Sequence, residues 1–215
     1  MISLFLSDDH IALRDGLALM LEQTKQFKVT GRADNGKDTI AAFENGMKAD
    51  VLILDINMPD MDGYDTAEWM KQNKPGVNIL VYSMYDTRVS LIRLLQMGIK
   101  GVLKKDVPAE TLYEGIRTVA AGNHYYGEKA AGTLASFFEK DEHGVSAMDR
   151  GAITDDEIAF IKLAATDMTY KEIADRMGLT LSKAEVMRSN LFEKLQVTSR
   201  VGLAIEGVKS GLVKF

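Results

Sequence analysis

The sequence has no cysteine among its 215 residues, which excludes disulfide bonds and thiolate metal sites. It also lacks long apolar runs, since a run such as 51–54 has the length of a strand and is far too short to cross a bilayer. No basic segment followed by a long apolar one stands at the start, which argues against a secretory signal. These absences predict a soluble cytoplasmic protein that makes no membrane contact.

An excess of positive charge is lacking as well. The formal net charge is −5, which by itself argues against a nucleic-acid-binding protein. However, residues 151–215 contain nine basic and nine acidic side chains, and the stretch 183–214 within them has six basic and three acidic ones. Positive charge therefore gathers late in the chain, which is a weak indication of an anionic partner.

Segments with two kinds of hydrophobic pattern alternate over the first 122 residues, one typical of strands and the other of helices. Short runs rich in Val, Ile, Leu and Phe predict strands, and apolar residues three and four positions apart predict helices between them. Five strands alternating with five helices are typical of an α/β fold, a doubly wound five-stranded parallel sheet covered on both faces. The predicted strands are 2–7, 27–33, 51–55, 78–83 and 100–104, and the predicted helices are 11–23, 37–44, 64–71, 88–97 and 109–121.

The pattern changes after residue 122. Glycines and a charged run in 123–150 predict a linker, with a short helix around 129–139. From residue 154 onward the signals are purely helical, so 151–215 predicts a second, all-α domain of four helices. Two S/T-x-x-E capping boxes, Thr154–Glu157 and Thr169–Glu172, begin the first two of these helices.

The second and third of these helices are separated by a glycine turn. Gly178 ends a short helix, and Thr180 caps the longer one that follows. This arrangement is typical of a helix-turn-helix, although the same spacing occurs in helical bundles that bind no nucleic acid.

Chemically active side chains stand where four predicted strands end. In a doubly wound sheet these ends meet at one edge, where ligands bind. Carboxylates gathered there repel one another, and a hard divalent cation such as Mg²⁺ relieves the repulsion. An ionised aspartate can attack phosphorus while a lysine neutralises the phosphoryl oxygens and a hydroxyl binds the product. The side chains are Asp8, Asp9, Asp55, Ser83, Lys104 and Lys105.

Ordinary structural roles are an alternative for each of these residues. Asp8 and Asp9 could cap a helix, Asp55 could end a strand before a turn, and the others could be solvated loop residues. A metal-dependent phosphatase also uses an aspartate nucleophile at a strand end, but Asn57 stands where its second carboxylate would be. We therefore expect no enzyme with turnover.

The same residues resemble the receiver domain of two-component response regulators, over residues 1–122. The resemblance implies a flavodoxin-like fold with Asp55 as the phosphoacceptor, phosphorylated by a sensor histidine kinase. It rests on Asp8-Asp9-His10, on the run from Asp55 to Gly63, on Ser83 and on Lys105-Asp106.

The resemblance also implies a ligand set. Mg²⁺ would bind Asp9, Asp55 and the backbone carbonyl of Asn57, with Asp8 acting largely through water, and Lys105 rather than Lys104 would bind the phosphoryl group. The sequence departs from the family pattern in two places. Val102 replaces a frequent aromatic switch residue, which places the usual aromatic rotation in doubt, and Asp106 replaces a frequent proline.

The helical segment resembles the output domain of the NarL/LuxR family, over residues 152–213. This resemblance implies a transcriptional regulator whose third output helix enters the major groove of double-stranded DNA and whose fourth mediates dimerisation, so that a homodimer forms on activation. It rests on Ile153-Thr154, the run from Lys171 to Leu179, Arg188-Ser189-Asn190-Leu191 and Lys194-Leu195.

The predicted recognition helix departs from that family at Glu185, where a lysine is common. Glu185 could complete a capping box with Ser182, or it could accept a hydrogen bond from a cytosine amino group. A carboxylate close to DNA predicts weaker, more dimer-dependent binding, and it leaves open that this domain binds a protein instead. The candidate DNA contacts are Lys183, Glu185, Arg188, Lys194 and Arg200.

Overall fold

A computed structural model describes residues 1–84, 87–127, 131–132 and 152–213. The chain divides into two compact units: Met1–Asp86 with Leu94–Ala131, and Thr87–Arg93 with Gly132–Phe215. Nearly all of the helix predicted around 129–139 lies outside the described residues. The predicted domain and linker boundaries, 1–122, 123–150 and 151–215, therefore stay predictions.

Parallel strands in the order β2-β1-β3-β4-β5-β6 form the sheet of the first unit. All four residues of β3 are buried, as expected for a strand covered on both faces. The order reverses at β1, which lies between β2 and β3, so the predicted doubly wound topology is confirmed. The strands are β1 (Ile2–Ser7), β2 (Phe27–Ala33), β3 (Val51–Leu54), β4 (Asn78–Ser83), β5 (Gly101–Lys104) and β6 (Tyr125–Tyr126).

Strand β6 adds a sixth strand to the five that were predicted. It lies in the segment predicted as a linker and pairs in parallel with Gly101 and Val102 of β5. The amide of Gly127 then donates to the carbonyl of Val102 at 3.1 Å. The sheet therefore continues past the predicted boundary at residue 122.

Helices cover both faces of this sheet. Leu17 of α1 and Ile116 of α5 pack in one buried cluster with Leu4 and Leu6 of the central strand β1. On the opposite face, Phe43 of α2 packs against Phe5, with ring centroids 5.1 Å apart. The helices along residues 1–127 are α1 (Ile11–Gln23), α2 (Gly36–Glu44), α3 (Gly63–Asn73), α4 (Arg88–Gln96) and α5 (Ala109–Ala120), and the first residues of α4, up to Arg93, belong to the second unit.

Four helices make up residues 152–213 of the second unit, as predicted. Both capping boxes form: Thr154 and Thr169 each accept the amide of the glutamate three residues later and donate their own amide to its carboxylate. The fourth helix is capped by Ser199. The helices are α6 (Asp155–Ala164), α7 (Tyr170–Arg176), α8 (Leu181–Leu195) and α9 (Arg200–Lys209).

The core of this unit is small and apolar. Phe160, Ile161, Ile173, Leu191 and Leu203, which come from all four helices, are each fully buried. Across the described ranges of the chain, no helix combines the length and the apolar character that a bilayer-spanning segment needs.

Candidate functional site

An acidic pocket lies at the carboxyl edge of the sheet, next to the point where the strand order reverses. Asp8 directly follows β1, Asp55 directly follows β3, and Lys105 directly follows β5. Hydrogen bonds continue the sheet into these positions: the Asp55 amide donates to the Ser7 carbonyl at 2.8 Å, and the Lys105 amide donates to the Ser83 carbonyl at 2.9 Å. The backbone thus fixes where these side chains begin.

The ammonium group of Lys105 bridges two carboxylates in this pocket. Its Nζ lies 2.6 Å from Asp55 Oδ2 and 2.7 Å from Asp8 Oδ2, and its side chain is only 1% exposed. Burial by itself would lower the pKa of Lys105, but the two carboxylates outweigh it and raise the pKa above its ordinary value. Lys105 is therefore held as a buried cation.

Asp9 and His10 complete a group of side chains that could hold a metal ion. Ligand atoms of Asp8, Asp9, His10 and Asp55 all lie within 4.8 Å of one another. The carboxylates offer the oxygen ligands that hard divalent cations prefer. In addition, Oδ1 of Asn57 is buried without a hydrogen-bond partner among the described residues, so the donor set fits a small cation.

Asp55 is held in a fixed orientation at the base of the pocket. Its Oδ1 accepts the amide of Ile56 at 2.7 Å, while Oδ2 contacts Lys105. The side chain is only 4% exposed, compared with 31% for Asp9. Asp55 is therefore nearly enclosed, whereas Asp9 is partly open to solvent.

Ser83 ends β4 beside this pocket. It pairs with Lys104 in the register of β4 and β5, and the residue is 3% exposed. Its hydroxyl makes no hydrogen bond to any described residue. Lys104, the lysine that composition could not distinguish from Lys105, instead forms an ion pair with Asp106 outside the pocket.

Sequence reasoning missed Arg14, which holds the loop between β1 and α1. Its guanidinium donates to the backbone carbonyls of Asp8 and Ala33 at 2.6 and 3.1 Å and pairs with Asp34. The residue is only 7% exposed. An arginine three positions before the apolar Leu17 on the same helix face was the available signal.

The third helix of the second unit, α8, exposes part of the predicted DNA surface. Lys183 and Glu185 are exposed, and Arg188 is partly buried. Thr180 is the N-cap, as predicted, and accepts the amide of Lys183, so the capping box offered as one explanation of Glu185 does not form. Among the described residues, the Glu185 carboxylate has no hydrogen bond or ion pair.

Two of the predicted DNA contacts have partners within the second unit. Lys194 donates to both carboxylate oxygens of Glu157, at 2.8 and 2.9 Å, and to the carbonyl of Ala152 at 2.6 Å. An ammonium has three donors, so these contacts use all of them, and the DNA contact of Lys194 stays a prediction that would require one of them to open. Arg200 donates to two carbonyls at the end of α6, that of its last residue, Ala164, and that of Thr166 two residues later.

Comparison with known families matches both units. Residues 4–117 match the response regulator receiver domain, and residues 152–206 match the bacterial regulatory proteins of the luxR family. The first match alone covers more than half of the chain.

Curated relatives match along their whole length. The response regulator GacA of Pseudomonas aeruginosa is 29% identical over 99% of this chain and 98% of its own. The transcriptional regulatory protein MctR of Rhizobium johnstonii is 30% identical over 99% of this chain and 95% of its own. The chain therefore aligns with these two relatives over nearly their full length.

Solved structures share the fold. A structure of RcsB from Salmonella enterica serovar Typhimurium, bound to the promoter rprA in the presence of the phosphomimetic BeF₃⁻, has a TM-score of 0.72 at 21% identity. That match covers 99% of this chain and all of that one. An RcsB–DNA complex has a TM-score of 0.71 at 22% identity and covers 97% of this chain and 98% of that one.

Proposed function

Because the chain belongs to the response regulators that join a receiver domain to a luxR-family domain, we propose that it is a DNA-binding transcriptional regulator controlled by phosphorylation of Asp55. The observation that carries this proposal is the convergence of Asp8, Asp55 and Lys105 at the carboxyl edge of the sheet. A sensor histidine kinase donates the phosphoryl group, and DNA is the ligand of the helical unit.

The pocket supports a simple phosphoryl transfer. One carboxylate oxygen of Asp55 forms the new bond to phosphorus while the bond from phosphorus to the donor breaks. The raised pKa of Lys105 keeps its side chain protonated. The ammonium group can therefore leave Asp8 and bind the oxygens of the transferred phosphoryl group. The Ser83 hydroxyl then binds the phosphoryl group and registers its presence.

Mg²⁺ fits the oxygen donors of this pocket. Asp9, Asp55 and the Asn57 backbone carbonyl would hold the ion, and Asp8 would act through water. When bound, the ion neutralises charge on the phosphoryl oxygens. Asp9 is the most exposed of the three carboxylates, so it is suited to receive the ion first.

The helical unit supports DNA binding through α8, with Lys183, Glu185 and Arg188 as the candidate contacts. Activation would bring two such units together as a homodimer, which raises affinity for a pair of half-sites. The internal partners of Lys194 and the unpaired Glu185 favour one alternative, a helical unit that binds a protein. A gel-shift experiment with duplex DNA from upstream of its own coding sequence separates the two.

Phosphorylation by a small-molecule acyl phosphate tests the site directly. With Mg²⁺ present, the intact protein is expected to gain one phosphoryl group by mass spectrometry and to bind the upstream duplex more tightly. Asp55→Asn should abolish both effects, because the amide cannot act as the nucleophile. Asp60→Asn is the matched control, since Asp60 lies in the same loop with φ 62°, a conformation that asparagine tolerates.

Two outcomes would contradict the proposal. Labelling that persists in Asp55→Asn would place the phosphoacceptor elsewhere. Labelling without any binding to the duplex, at any protein concentration used, would favour a protein partner for the helical unit.

A further inference from the structure

Two arginines of the second unit share one aromatic ring. The guanidinium carbon of Arg188 lies 5.0 Å from the centroid of the Tyr170 ring, and that of Arg200 lies 5.3 Å from it. Phe160 stacks with the same ring at 6.1 Å and an interplanar angle of 12°. Tyr170 therefore joins all four helices, because it begins α7 while Phe160 belongs to α6, Arg188 to α8 and Arg200 to α9.

The two arginines differ in how their donors are used. Arg200 is anchored, since Nε donates to the carbonyl of Ala164 at 2.9 Å and a terminal nitrogen donates to that of Thr166 at 2.7 Å. Arg188 has only ring contacts, to Tyr170 and to Phe192 at 6.0 Å. No described residue accepts a hydrogen bond from it, so its planar set of donors is available.

The charges around this ring favour an anion. No carboxylate among the described residues forms an ion pair with Arg188 or Arg200, although the domain as a whole is neutral. Two like charges beside one ring repel each other, and a phosphate near both relieves that repulsion. A guanidinium also matches the geometry of phosphate oxygens with two parallel hydrogen bonds.

We propose that Tyr170 is a positioning residue for DNA binding, whose ring holds the Arg188 guanidinium ready for a backbone phosphate beside Arg200. This inference rests on the proposed function, in which α8 faces DNA. It assigns Arg188 to the phosphate backbone rather than to base edges, so its contribution is independent of sequence. A side chain that merely filled space at position 170 would not affect the number of phosphates neutralised.

The salt dependence of DNA affinity tests this role. The probe is the upstream duplex, bound by the full-length protein over a range of KCl concentrations. Replacement of the ring in Tyr170→Leu is expected to weaken binding about tenfold and to reduce the slope of log K against log salt by about 0.9, the value for one phosphate contact. Arg188→Ala should do the same, and Tyr170→Leu/Arg188→Ala should match Arg188→Ala alone.

Tyr170→Phe is the matched control, because it keeps the ring and loses only the hydroxyl; its affinity should stay within about twofold of the parent. If Tyr170→Leu weakens binding with an unchanged slope, or adds fully to Arg188→Ala, the ring is structural and the inference is wrong. If Tyr170→Leu does not fold, Arg188→Lys decides, since it keeps the charge and loses the flat guanidinium. Unchanged affinity there would overturn the role of the ring, and a severalfold loss at an unchanged slope would support it.

The same measurements distinguish a failure of the proposed DNA binding from a failure of the role assigned to Tyr170. A parent protein that shows no salt-dependent binding to any duplex overturns DNA binding and this inference together. A parent that binds with a steep salt dependence, alongside a Tyr170→Leu variant with the same affinity and slope, overturns only the role of Tyr170.

Discussion

At Gly63 the loop after β3 returns so close to its own start that no side chain fits. A Cβ on this residue would lie 2.2 Å from the backbone oxygen of Asp55 and 2.7 Å from the Cα of Ile56. The Gly63 amide also donates to the Ile56 carbonyl at 2.9 Å. This close approach fixes the backbone that carries the candidate phosphoacceptor.

Gly63→Ala is therefore expected to lower the free energy of unfolding by about 1–3 kcal/mol, since the backbone must shift to admit a methyl group. Urea unfolding followed by the fluorescence of Trp69 measures this, because Trp69 is the single tryptophan and lies in α3. Gly16→Ala is the control. An added Cβ meets nothing within 4 Å there, so it should stabilise α1 by about 0.5–1 kcal/mol. Equal effects of the two substitutions would contradict the steric explanation.

At the scale of elements, the turn between α7 and α8 depends on two adjacent caps. Gly178 adopts φ 66°, which favours glycine, and Thr180 then accepts the amide of Lys183 at 3.3 Å. The start of the candidate recognition helix is thus set by Thr180, two residues before Ser182.

Thr180→Ala should lower the stability of the helical unit by about 0.5–2 kcal/mol, because it leaves an amide at the helix start without its acceptor. Ser182→Ala should change it by less than about 0.5 kcal/mol, since Ser182 is exposed and caps nothing. Thermal unfolding followed by far-UV circular dichroism compares the two. A larger loss for Ser182→Ala would restore the capping box with Glu185.

The elements with a clear period were predicted from the sequence almost to the residue. Helix α1 and strands β1, β2 and β4 have the predicted bounds, because alternating apolar spacing records which face is buried. Strand β6 was missed because two residues are too few to show a period. The order of the strand ends also allowed Asp8, Asp55 and the pair Lys104-Lys105 to be brought together in advance, since parallel strands end at one edge. The choice of Lys105 over Lys104 came from the resemblance to receiver domains.

Partners distant in sequence could not be predicted. From the sequence alone, Lys194 is expected to be a solvent-exposed lysine on a helix. Only folding brings it to Glu157, which lies 37 residues earlier. The same holds for Arg200, whose acceptors lie at the end of α6. Tertiary contacts of this kind carry no local pattern, so the sequence could not show that both side chains have partners within the helical unit.

For the whole molecule, the distribution of charge limits how DNA can be bound. The entire net charge of −5 belongs to residues 1–150, and 151–215 is neutral. A neutral unit attached to an acidic one has little non-specific attraction to DNA. Joining two units is then the available route to higher affinity.

We expect treatment with an acyl phosphate and Mg²⁺ to shift the mass measured by light scattering from that of a monomer toward that of a dimer. Asp55→Asn should remain unshifted under the same conditions. The concentration at which the duplex is half bound should fall together with the shift in mass. If the parent protein and Asp55→Asn form equally stable dimers, dimerisation does not depend on phosphorylation of Asp55.

The bridge that Lys105 makes between Asp8 and Asp55 has a thermodynamic consequence. A divalent ion held by Asp9 and Asp55 would compete with Lys105, the counterion already in contact with Asp55. The measured free energy of ion binding would then be the difference between the pocket neutralised by the ion and the pocket neutralised by Lys105. It would be smaller than the intrinsic free energy with which the oxygen ligands bind the ion.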